Sequence, residues 1–330
     1  MLQESDESET LELERKGKVV RMDCPVLLII FNRLDTVKRV FEPIRAAKPK
    51  RLYVAADGPR QEREGEAERC AEVREWIVSH IDWNCEMKTR FLEENIGCGL
   101  GPSSAISWMF ETEDRGIILE DDCVASPSFF PFAEQMLEKY KDDKQVSIIC
   151  GSNFDNEHLY QEKDADYFFS KISYTWGWAT WKRNWEDYDF SMRAWGKVNK
   201  ARLLHWLFDE PEYREYWKYI FNQTYLHQPQ DIWDYQFFFS CYRKRQMAIV
   251  PNVNLISNIG DGSDATHTQA SVSKLGRSVE ELGSPLRHPH KMVRNLAYDT
   301  HLQETCYGRA PVPSVKTRVK VFLKKYLRSL

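Results

Sequence analysis

Three consecutive carboxylates, Glu120, Asp121 and Asp122, are the side chains of this sequence whose spacing points most directly to chemistry. They follow a short apolar run over residues 117–119, which is typical of a strand covered on both faces. Adjacent like charges repel one another unless a cation or a hydrogen-bond donor lies between them. Mg²⁺ and Mn²⁺ prefer carboxylate oxygens and are often shared with substrate phosphates. The pattern indicates a metal site at a strand end, where α/β sheets bind ligands, although a solvated acidic loop has the same composition.

The elements that would position these carboxylates begin with a strand, a helix and a second strand. An apolar run over residues 24–31 predicts a central strand, and another over 51–56 ends at Asp57. Between them, Asp35 is expected to cap a helix that Pro43 should kink or shorten. A βαβ unit of this kind has a right-handed crossover and belongs to a parallel sheet.

Strands and helices continue to alternate as far as residue 150. A charged helix is predicted over 61–80, a strand over 87–92, a helix over 127–140 and a strand over 146–150. The glycine-rich segment 95–102 is predicted to be a turn that leads into a helix. The segment is weak evidence for a phosphate-binding loop. It lacks the Gly-Lys-Ser/Thr end of a P-loop, and it does not follow the first strand as a dinucleotide-binding motif would.

The second half of the chain is richer in aromatic residues and less regular. Four tryptophans surround Gly177, namely Trp176, Trp178, Trp181 and Trp185. They predict either a hydrophobic corner or the wall of a sugar site. A strand is expected near 167–169, helices over 199–228 and from Asp231 onward, and a last strand over 247–256.

Composition bounds the class of protein. A chain of 330 residues with 42% apolar side chains is long enough for one large domain or two ordinary ones. The net charge of -4 gives no global electrostatic case for nucleic-acid binding. No apolar run reaches the length of about eighteen residues that a membrane span needs. The eight cysteines lack the paired spacing of a zinc site, and reduced thiols in a cytoplasm are expected.

Both ends of the chain differ in composition from its middle. Residues 1–20 have too few apolar groups to offset the entropy of ordering, and we predict a disordered leader. Residues 314–330 place basic side chains beside apolar ones that share one helical face. This pattern is typical of a helix attracted to an anionic membrane surface, or of a terminal helix docked on its own domain. We expect a main domain over 21–265 and a C-terminal extension over 266–330.

Five stretches of the sequence carry a resemblance to a known family. They are FNRLDTVKRV from residue 31, LYVAADGPR from residue 52, NIGCGLG from residue 95, GIILEDDCVASPSFFPF from residue 116 and YTWGWATW from residue 174. Together they resemble glycosyltransferases of the GT-A fold over residues 24–265. The family is the bacterial hemolytic-protein-like, or nucleotide-diphospho-sugar transferase, set, with a more distant likeness to N-acetylglucosaminyltransferase I. The resemblance implies an α/β fold with a central, mostly parallel sheet flanked by helices.

By this resemblance the three carboxylates take the place of the family's DxD-type motif. Asp122 would ligate Mn²⁺ or Mg²⁺, while Glu120 and Asp121 would contact the ribose or the donor sugar. His267, in the polar loop 257–267, would complete the metal or diphosphate shell, although an ordinary loop histidine is the alternative. The metal would serve as the electrophile on the departing diphosphate.

The resemblance also implies how the rest of the donor is held. Asn32 and Arg33 would meet the donor diphosphate, which suits the fork of a guanidinium group. Asp57 would read the nucleotide base, since a carboxylate can accept a hydrogen bond from a base N–H. The alternatives are a surface ion pair for Arg33 and a turn-forming role for Asp57.

A general base and an acceptor loop complete the implied site. Asp234 would deprotonate the acceptor hydroxyl, and Asp231 is the rival base because either residue could cap the helix that begins here. Trp176, Gly177 and Trp178 resemble the family's acceptor-side loop.

The implied activity is metal-dependent, inverting transfer of a hexose or N-acetylhexosamine from a nucleoside-diphosphate sugar, with UDP favoured. The acceptor would be a hydroxyl of a glycan or of a lipid-linked precursor of a bacterial surface glycan. The enzyme is expected in the cytoplasm or on the inner face of the membrane, with no nucleic-acid partner. A sugar-1-phosphate nucleotidyltransferase is an alternative, although residues 31–34 lack the glycine that its first loop needs. A catalytically silent carbohydrate-binding protein of the same fold is another.

Overall fold

A central sheet of eight strands organises the computed structural model, which describes residues 22–155, 157–260 and 278–309. The strands are β1 (Val26–Ile30), β2 (Arg51–Ala56), β3 (Glu86–Phe91), β4 (Arg115–Glu120), β6 (Val146–Cys150), β7 (Tyr167–Ser170), β8 (Trp178–Trp181) and β9 (Met247–Pro251). Their order is β3-β2-β1-β4-β8-β6-β9-β7, and β7 and β8 run opposite to the other six. A separate antiparallel pair joins β5 (Cys123–Ala125) to β10 (Ile256–Asn258).

Helices flank this sheet. They are α1 (Leu34–Ala47), α2 (Glu66–Ser79), α3 (Gly97–Thr112), α4 (Phe129–Lys139), α5 (Lys182–Trp185), α6 (Lys200–Leu207), α7 (Pro211–His227), α8 (Asp234–Arg243) and α9 (Leu296–Leu302). A 3-10 turn spans Arg193–Gly196, and a π-helical turn spans Gln303–Tyr307. The predicted fold class, α/β with a central, mostly parallel sheet flanked by helices, is confirmed.

Hydrophobic cores lie on both faces of the sheet. Alternate side chains of β1 enter different cores, since Leu27 packs into one while Val26 and Leu28 pack into the other. Successive side chains of a strand point to opposite faces, so a strand buried on both sides must be apolar throughout. This burial is the physical reason that β1, β2, β4 and β6 were recognisable as continuous apolar runs.

One prediction about the start of α1 is wrong. Asp35 does not cap α1, because the helix begins at Leu34 and Asp35 already lies in its first turn. Pro43 does not end the helix, which continues to Ala47. A proline removes one backbone hydrogen bond, and the buried apolar face of α1, which includes Phe41 and Ile44, offsets that loss.

The C-terminal part of the described chain packs against the edge strand β7. The N–H of Asn295 donates to the carbonyl oxygen of Phe169 (2.8 Å), and Tyr298 and Leu302 are fully buried. The Asp299 carboxylate, also fully buried, pairs with Arg294 and accepts hydrogen bonds from the Ser170 hydroxyl and the Lys171 N–H. Residues 278–309 are therefore joined to the sheet by hydrogen bonds to residues 169–171 as well as by apolar contacts.

Some predicted features lie outside the described residues. These are the leader over 1–20, His267 and the basic segment over 314–330. Within the described ranges, no helix has both the length and the apolar character needed to cross a membrane.

Candidate active site

A cavity of about 730 Å³ opens at the carboxyl ends of β1, β2 and β4. This volume is in the range of small-molecule sites, and strand ends are where α/β sheets bind ligands. The cavity collects side chains from segments that are far apart in the sequence. Nine predicted site residues line it: Asn32, Arg33, Asp57, Glu120, Asp121, Asp122, Trp176, Asp231 and Asp234.

The guanidinium group of Arg33 bridges two of the three consecutive carboxylates. It forms a close ion pair with Asp121, and its Nη2 lies 3.0 Å from Oδ2 of Asp122. Burial raises the pKa of Asp121 to about 6, although the positive charge of Arg33 opposes this rise. Arg33 follows β1 directly and the carboxylates follow β4, so the pairing of these two parallel strands brings the ion pair together.

Glu120 lacks such compensation. In the part of the chain that the structure describes, no hydrogen-bond donor reaches its carboxylate. Its pKa is raised to about 8 by burial, and the negative charges of Asp122, Asp121 and Asp234 add to the effect. In this part of the cavity, the carboxyl groups of Glu120, Asp121, Asp122 and Asp234 thus act on one another, with Arg33 as the opposing charge. Across the described ranges, no set of three or more His, Cys, Asp or Glu side chains forms a ready-made metal cage.

The segment after β10 closes over Asp122. The side-chain amide of Asn258 donates to Oδ1 of Asp122 (3.3 Å), and the N–H of Ile259 donates to the Asp122 carbonyl oxygen (2.8 Å). A Cβ atom at Gly260 would lie 2.3 Å from Oδ2 of Asp122, so this close approach requires glycine. Sequence reasoning missed this contact, because it depends on the pairing of β10 with β5, which puts Asn258 opposite Cys123.

Asp57 lines the cavity, but its carboxylate accepts hydrogen bonds from backbone N–H groups. Its carboxylate accepts from Gly58 (2.9 Å), Ile96 (2.9 and 3.2 Å) and Gly97 (2.9 Å). Burial raises its pKa, and these hydrogen bonds oppose the rise. Because α3 begins at Gly97, Asp57 binds the start of that helix. The prediction of a glycine-rich turn before α3 is wrong, because Gly97, Gly99 and Gly101 lie within the helix.

The loop that contains Asp231 and leads to Asp234, the first residue of α8, rests on the first turn of α3. The N–H of Gly99 donates to the carbonyl oxygen of Gln230 (2.8 Å), and the Cys98 thiol contacts the carbonyl oxygen of Asp231 (3.7 Å). Asp231 lies in the loop, because α8 begins only at Asp234 and not at Asp231 as predicted. Both carboxylates line the cavity.

The three residues of the predicted acceptor loop have different positions. Trp176 lines the cavity, whereas Trp178 is fully buried on the central strand β8. The Trp178 ring stacks on Trp233 with a centroid distance of 5.8 Å, and it fills the core beneath the cavity. Gly177 has a φ of +54° and packs against Ile256, away from the cavity lining. Of this set only Trp176 is placed to touch a ligand, because the pairing of β8 with β4 and β6 buries Trp178.

Two arginines that the sequence analysis did not assign also line the cavity. Arg60 lies just after β2 and pairs with Glu66, which in turn accepts from the side-chain amide of Asn32 (3.0 Å). Arg90 lies on β3 and donates to the hydroxyl of Ser104 (3.0 Å). Arg60 stood in one of the stretches that carried the family resemblance, so its position after a strand was a usable signal. No sequence signal marked Arg90, since charged residues are common in edge strands.

Comparisons with known proteins give low similarities. No protein-family model matches the sequence, and no curated protein matches it. The structure is similar to a mannosyltransferase from Pyrobaculum calidifontis in complex with GDP-Man and Mn2+, at 13% identity and a TM-score of 0.35, over 51% of this chain and 47% of that one. It is also similar to residues 1–349 of S. aureus TarS, at 10% identity and a TM-score of 0.41, over 70% and 58% of the two chains.

A third similar structure is the inositol-1-phosphate CTP transferase from T. maritima, at 10% identity and a TM-score of 0.40, over 77% of this chain and 95% of that one. The chain spans about half the length of the first two structures, 47% and 58%. Because each TM-score is below 0.5, these similarities carry no argument about function, which has to come from the site itself.

Proposed function

We propose that this chain is a metal-dependent, inverting glycosyltransferase of the GT-A type that takes its sugar from a nucleoside-diphosphate sugar, with UDP favoured. The observation that carries the proposal is the cavity lined by Arg33, the three carboxylates and the loop with Asp231 and Asp234. A guanidinium fork suits a diphosphate, and hard carboxylate oxygens suit a divalent cation. A hexose or N-acetylhexosamine is the sugar we propose.

The donor set of the cavity fits a divalent metal. Glu120 is half-buried without a hydrogen-bond donor among the described residues. Its partial burial raises its pKa, the negative charges of Asp122, Asp121 and Asp234 add to the rise, and Arg33 opposes it. Asp122 would hold Mn²⁺ or Mg²⁺, and Glu120 and Asp121 would face the ribose or the sugar. When bound, the ion would neutralise charge that develops on the departing diphosphate. His267 remains a predicted further ligand outside the described residues.

Asp234 is the base that we propose for the acceptor hydroxyl. Its negative charge contributes to the raised pKa of Glu120, which puts it within electrostatic reach of the donor carboxylates. An inverting transfer needs a base on the acceptor side and charge stabilisation on the donor side. Asp231 lines the same cavity and is the alternative. Trp176 would offer its ring to the acceptor, a glycan or lipid-linked hydroxyl compound.

A binding screen followed by product analysis tests the proposal. Nucleoside diphosphates and their sugars are screened with and without Mn²⁺ by thermal shift, since a ligand at a hundred times its dissociation constant adds about 2.7 kcal/mol of stability. Nucleoside diphosphate released in step with a glycosylated acceptor supports the proposal. Pyrophosphate released from a nucleoside triphosphate and a sugar 1-phosphate would make the chain a nucleotidyltransferase. Binding without turnover on any acceptor would make it a silent sugar-nucleotide-binding protein.

The substitution Asp122→Asn tests the metal site. We expect transfer to fall by at least about 100-fold and Mn²⁺-dependent donor binding to disappear, because a neutral amide is a poor ligand for a hard cation. Asp142→Asn is the matched control, since Asp142 is an exposed residue between α4 and β6. Normal turnover in the Asp122→Asn protein would contradict the assignment.

The proposed membrane contact has a separate test. Deleting residues 314–330 should lower sedimentation of the protein with anionic liposomes and leave donor hydrolysis unchanged, because the basic side chains of this segment attract anionic lipid. Neutral liposomes serve as the control. Equal sedimentation of the full and shortened chains would refute a membrane role for this segment.

A further inference from the structure

The carboxylate of Asp57 is fully used as a hydrogen-bond acceptor inside the protein. Oδ1 accepts from the N–H groups of Gly58 and Ile96, both at 2.9 Å, and Oδ2 accepts from Gly97 at 2.9 Å and Ile96 at 3.2 Å. A carboxylate offers about four lone-pair sites. Three backbone N–H groups, with that of Ile96 shared between both oxygens, give four contacts here, so no site is left for a nucleotide base.

The segment around Asp57 is held from several sides. The guanidinium group of Arg74 donates both to the Asp57 carbonyl oxygen (2.9 Å) and to that of Leu92 (2.8 Å), which joins the ends of β2 and β3. The side-chain amide of Asn95 donates to the carbonyl oxygen of Gly58 (2.7 Å). A Cβ atom at Gly58 would lie 2.3 Å from the backbone of Glu94, so the two segments are in direct contact.

The helix that Asp57 binds supports the loop of the candidate bases. A Cβ atom at Gly99 would lie 2.5 Å from the carbonyl oxygen of Gln230 and 3.2 Å from that of Ile232. Residues 230–232 thus contact the backbone of α3 directly. The hydrogen bond from the N–H of Gly99 to the carbonyl oxygen of Gln230 fixes the distance between them. Movement of the first turn of α3 would move Asp231 and Asp234 with it.

We infer that Asp57 is a positioning residue that sets the distance between the donor carboxylates and the candidate bases, and that it does not read the nucleotide base. Its negative charge suits the positive end of the α3 dipole, and its hydrogen bonds from the N–H groups of Ile96 and Gly97 tie that helix to the end of β2. Through the contact between Gly99 and Gln230, the position of α3 then determines the position of Asp234. This inference rests on the proposed transferase function.

Asp57→Asn separates the two roles. Asparagine keeps the size of the side chain but turns one oxygen into an N–H₂ group that faces a backbone N–H. A misplacement of about 1 Å can cost about 100-fold in rate, so we expect kcat to fall at least about tenfold. The Kd for the nucleoside diphosphate and the ranking of bases should stay within about threefold. A base-reading Asp57 would give the reverse: a Kd raised at least tenfold, a relaxed base preference and an unchanged kcat.

Gly99→Ala supplies the second variant, because it displaces residues 230–232 without changing the Asp57 carboxylate. We expect the same loss of kcat with the same unchanged Kd. Gly283→Ala is the matched control, since a Cβ atom there meets nothing within 4 Å. A Gly99→Ala protein with full kcat would overturn the inference, also in the case that Asp57→Asn fails to fold.

Hydrogen exchange gives a readout that does not need transferase activity. Both variants should exchange faster than wild type at the backbone amides of residues 228–234, while the amides of β1 and β4 stay protected. If wild type binds no sugar nucleotide, the proposed function fails, yet faster exchange in both variants still supports the coupling. Unchanged exchange at residues 228–234 would overturn the coupling whatever the activity.

Discussion

Arg33 acts on two carboxylates through one planar group. The fork contacts Asp121 and Asp122 at once, which a point charge cannot do with the same geometry. If a diphosphate enters the cavity, the guanidinium group is placed to donate hydrogen bonds to the phosphate oxygens in place of the carboxylates. In the proposed transferase, Arg33 would therefore link the charge of these carboxylates to the affinity for the donor.

Two substitutions at Arg33 should separate the contribution of its charge from that of its forked shape. Arg33→Gln removes the charge, and we expect the Kd for nucleoside diphosphate with Mn²⁺ to rise by about 30-fold or more, measured by calorimetry. Arg33→Lys keeps the charge without the fork and should bind with intermediate affinity. Arg39→Gln, on the exposed side of α1, is the control. Wild-type affinity in the Gln variant would remove Arg33 from the donor site.

Residue positions were predictable where a polar side chain directly follows a buried strand. This rule put Arg33 and Asp122 together correctly, since parallel strands end at the same edge of the sheet. It could not predict the partners of Asp57, which come from Ile96 and Gly97, 39 and 40 residues further along. Only the packing of α3 against the end of β2 reveals that this carboxylate is saturated.

At the scale of secondary structure, strands were easier to predict than their neighbours in the sheet. The run from Trp178 to Trp181 was predicted to be part of a hydrophobic corner or of the wall of a sugar site, and it is the antiparallel strand β8 between β4 and β6. Its aromatic side chains hide the strand pattern because several of them belong to the core under the cavity. The anchoring of residues 278–309 was equally hidden, since it depends on hydrogen bonds from Ser170 and Lys171 to Asp299, which lies almost 130 residues further along the chain.

The buried Asp299 carboxylate should be needed for the C-terminal segment to join the sheet, because it pairs with Arg294 and also accepts hydrogen bonds from Ser170 and Lys171. Asp299→Ala leaves Arg294 without its buried partner, and such losses cost about 3–5 kcal/mol. We expect urea unfolding to show a decrease of this size in the free energy of unfolding. Asp164→Ala, at an exposed position, is the control. A decrease below about 1 kcal/mol would show that this segment adds little to the cooperative fold.

At the scale of the whole molecule, the cysteines report on occupancy of the cavity. None of the eight forms a disulfide, and Cys98 is a half-buried residue of the cavity wall, whereas Cys85 and Cys306 are half-buried elsewhere. We expect a nucleoside diphosphate with Mn²⁺ to slow alkylation of Cys98 by about tenfold or more, followed by peptide mass spectrometry. Alkylation of Cys85 and Cys306 should not change. Equal slowing at all three would indicate general stabilisation instead of binding in the cavity.

The order of the strands in the sheet has a consequence for the order in which the site forms during folding. The strands β1 to β4 lie consecutively in the chain, whereas β6 must find β9 across the stretch from Val146 to Met247. Contacts between neighbouring segments form faster than contacts between distant ones. We expect a folding chain to assemble Arg33 and the three carboxylates first, and to add Asp234 only when the distant strands close. The protein would then acquire the ability to hold a donor before it acquires the ability to use one.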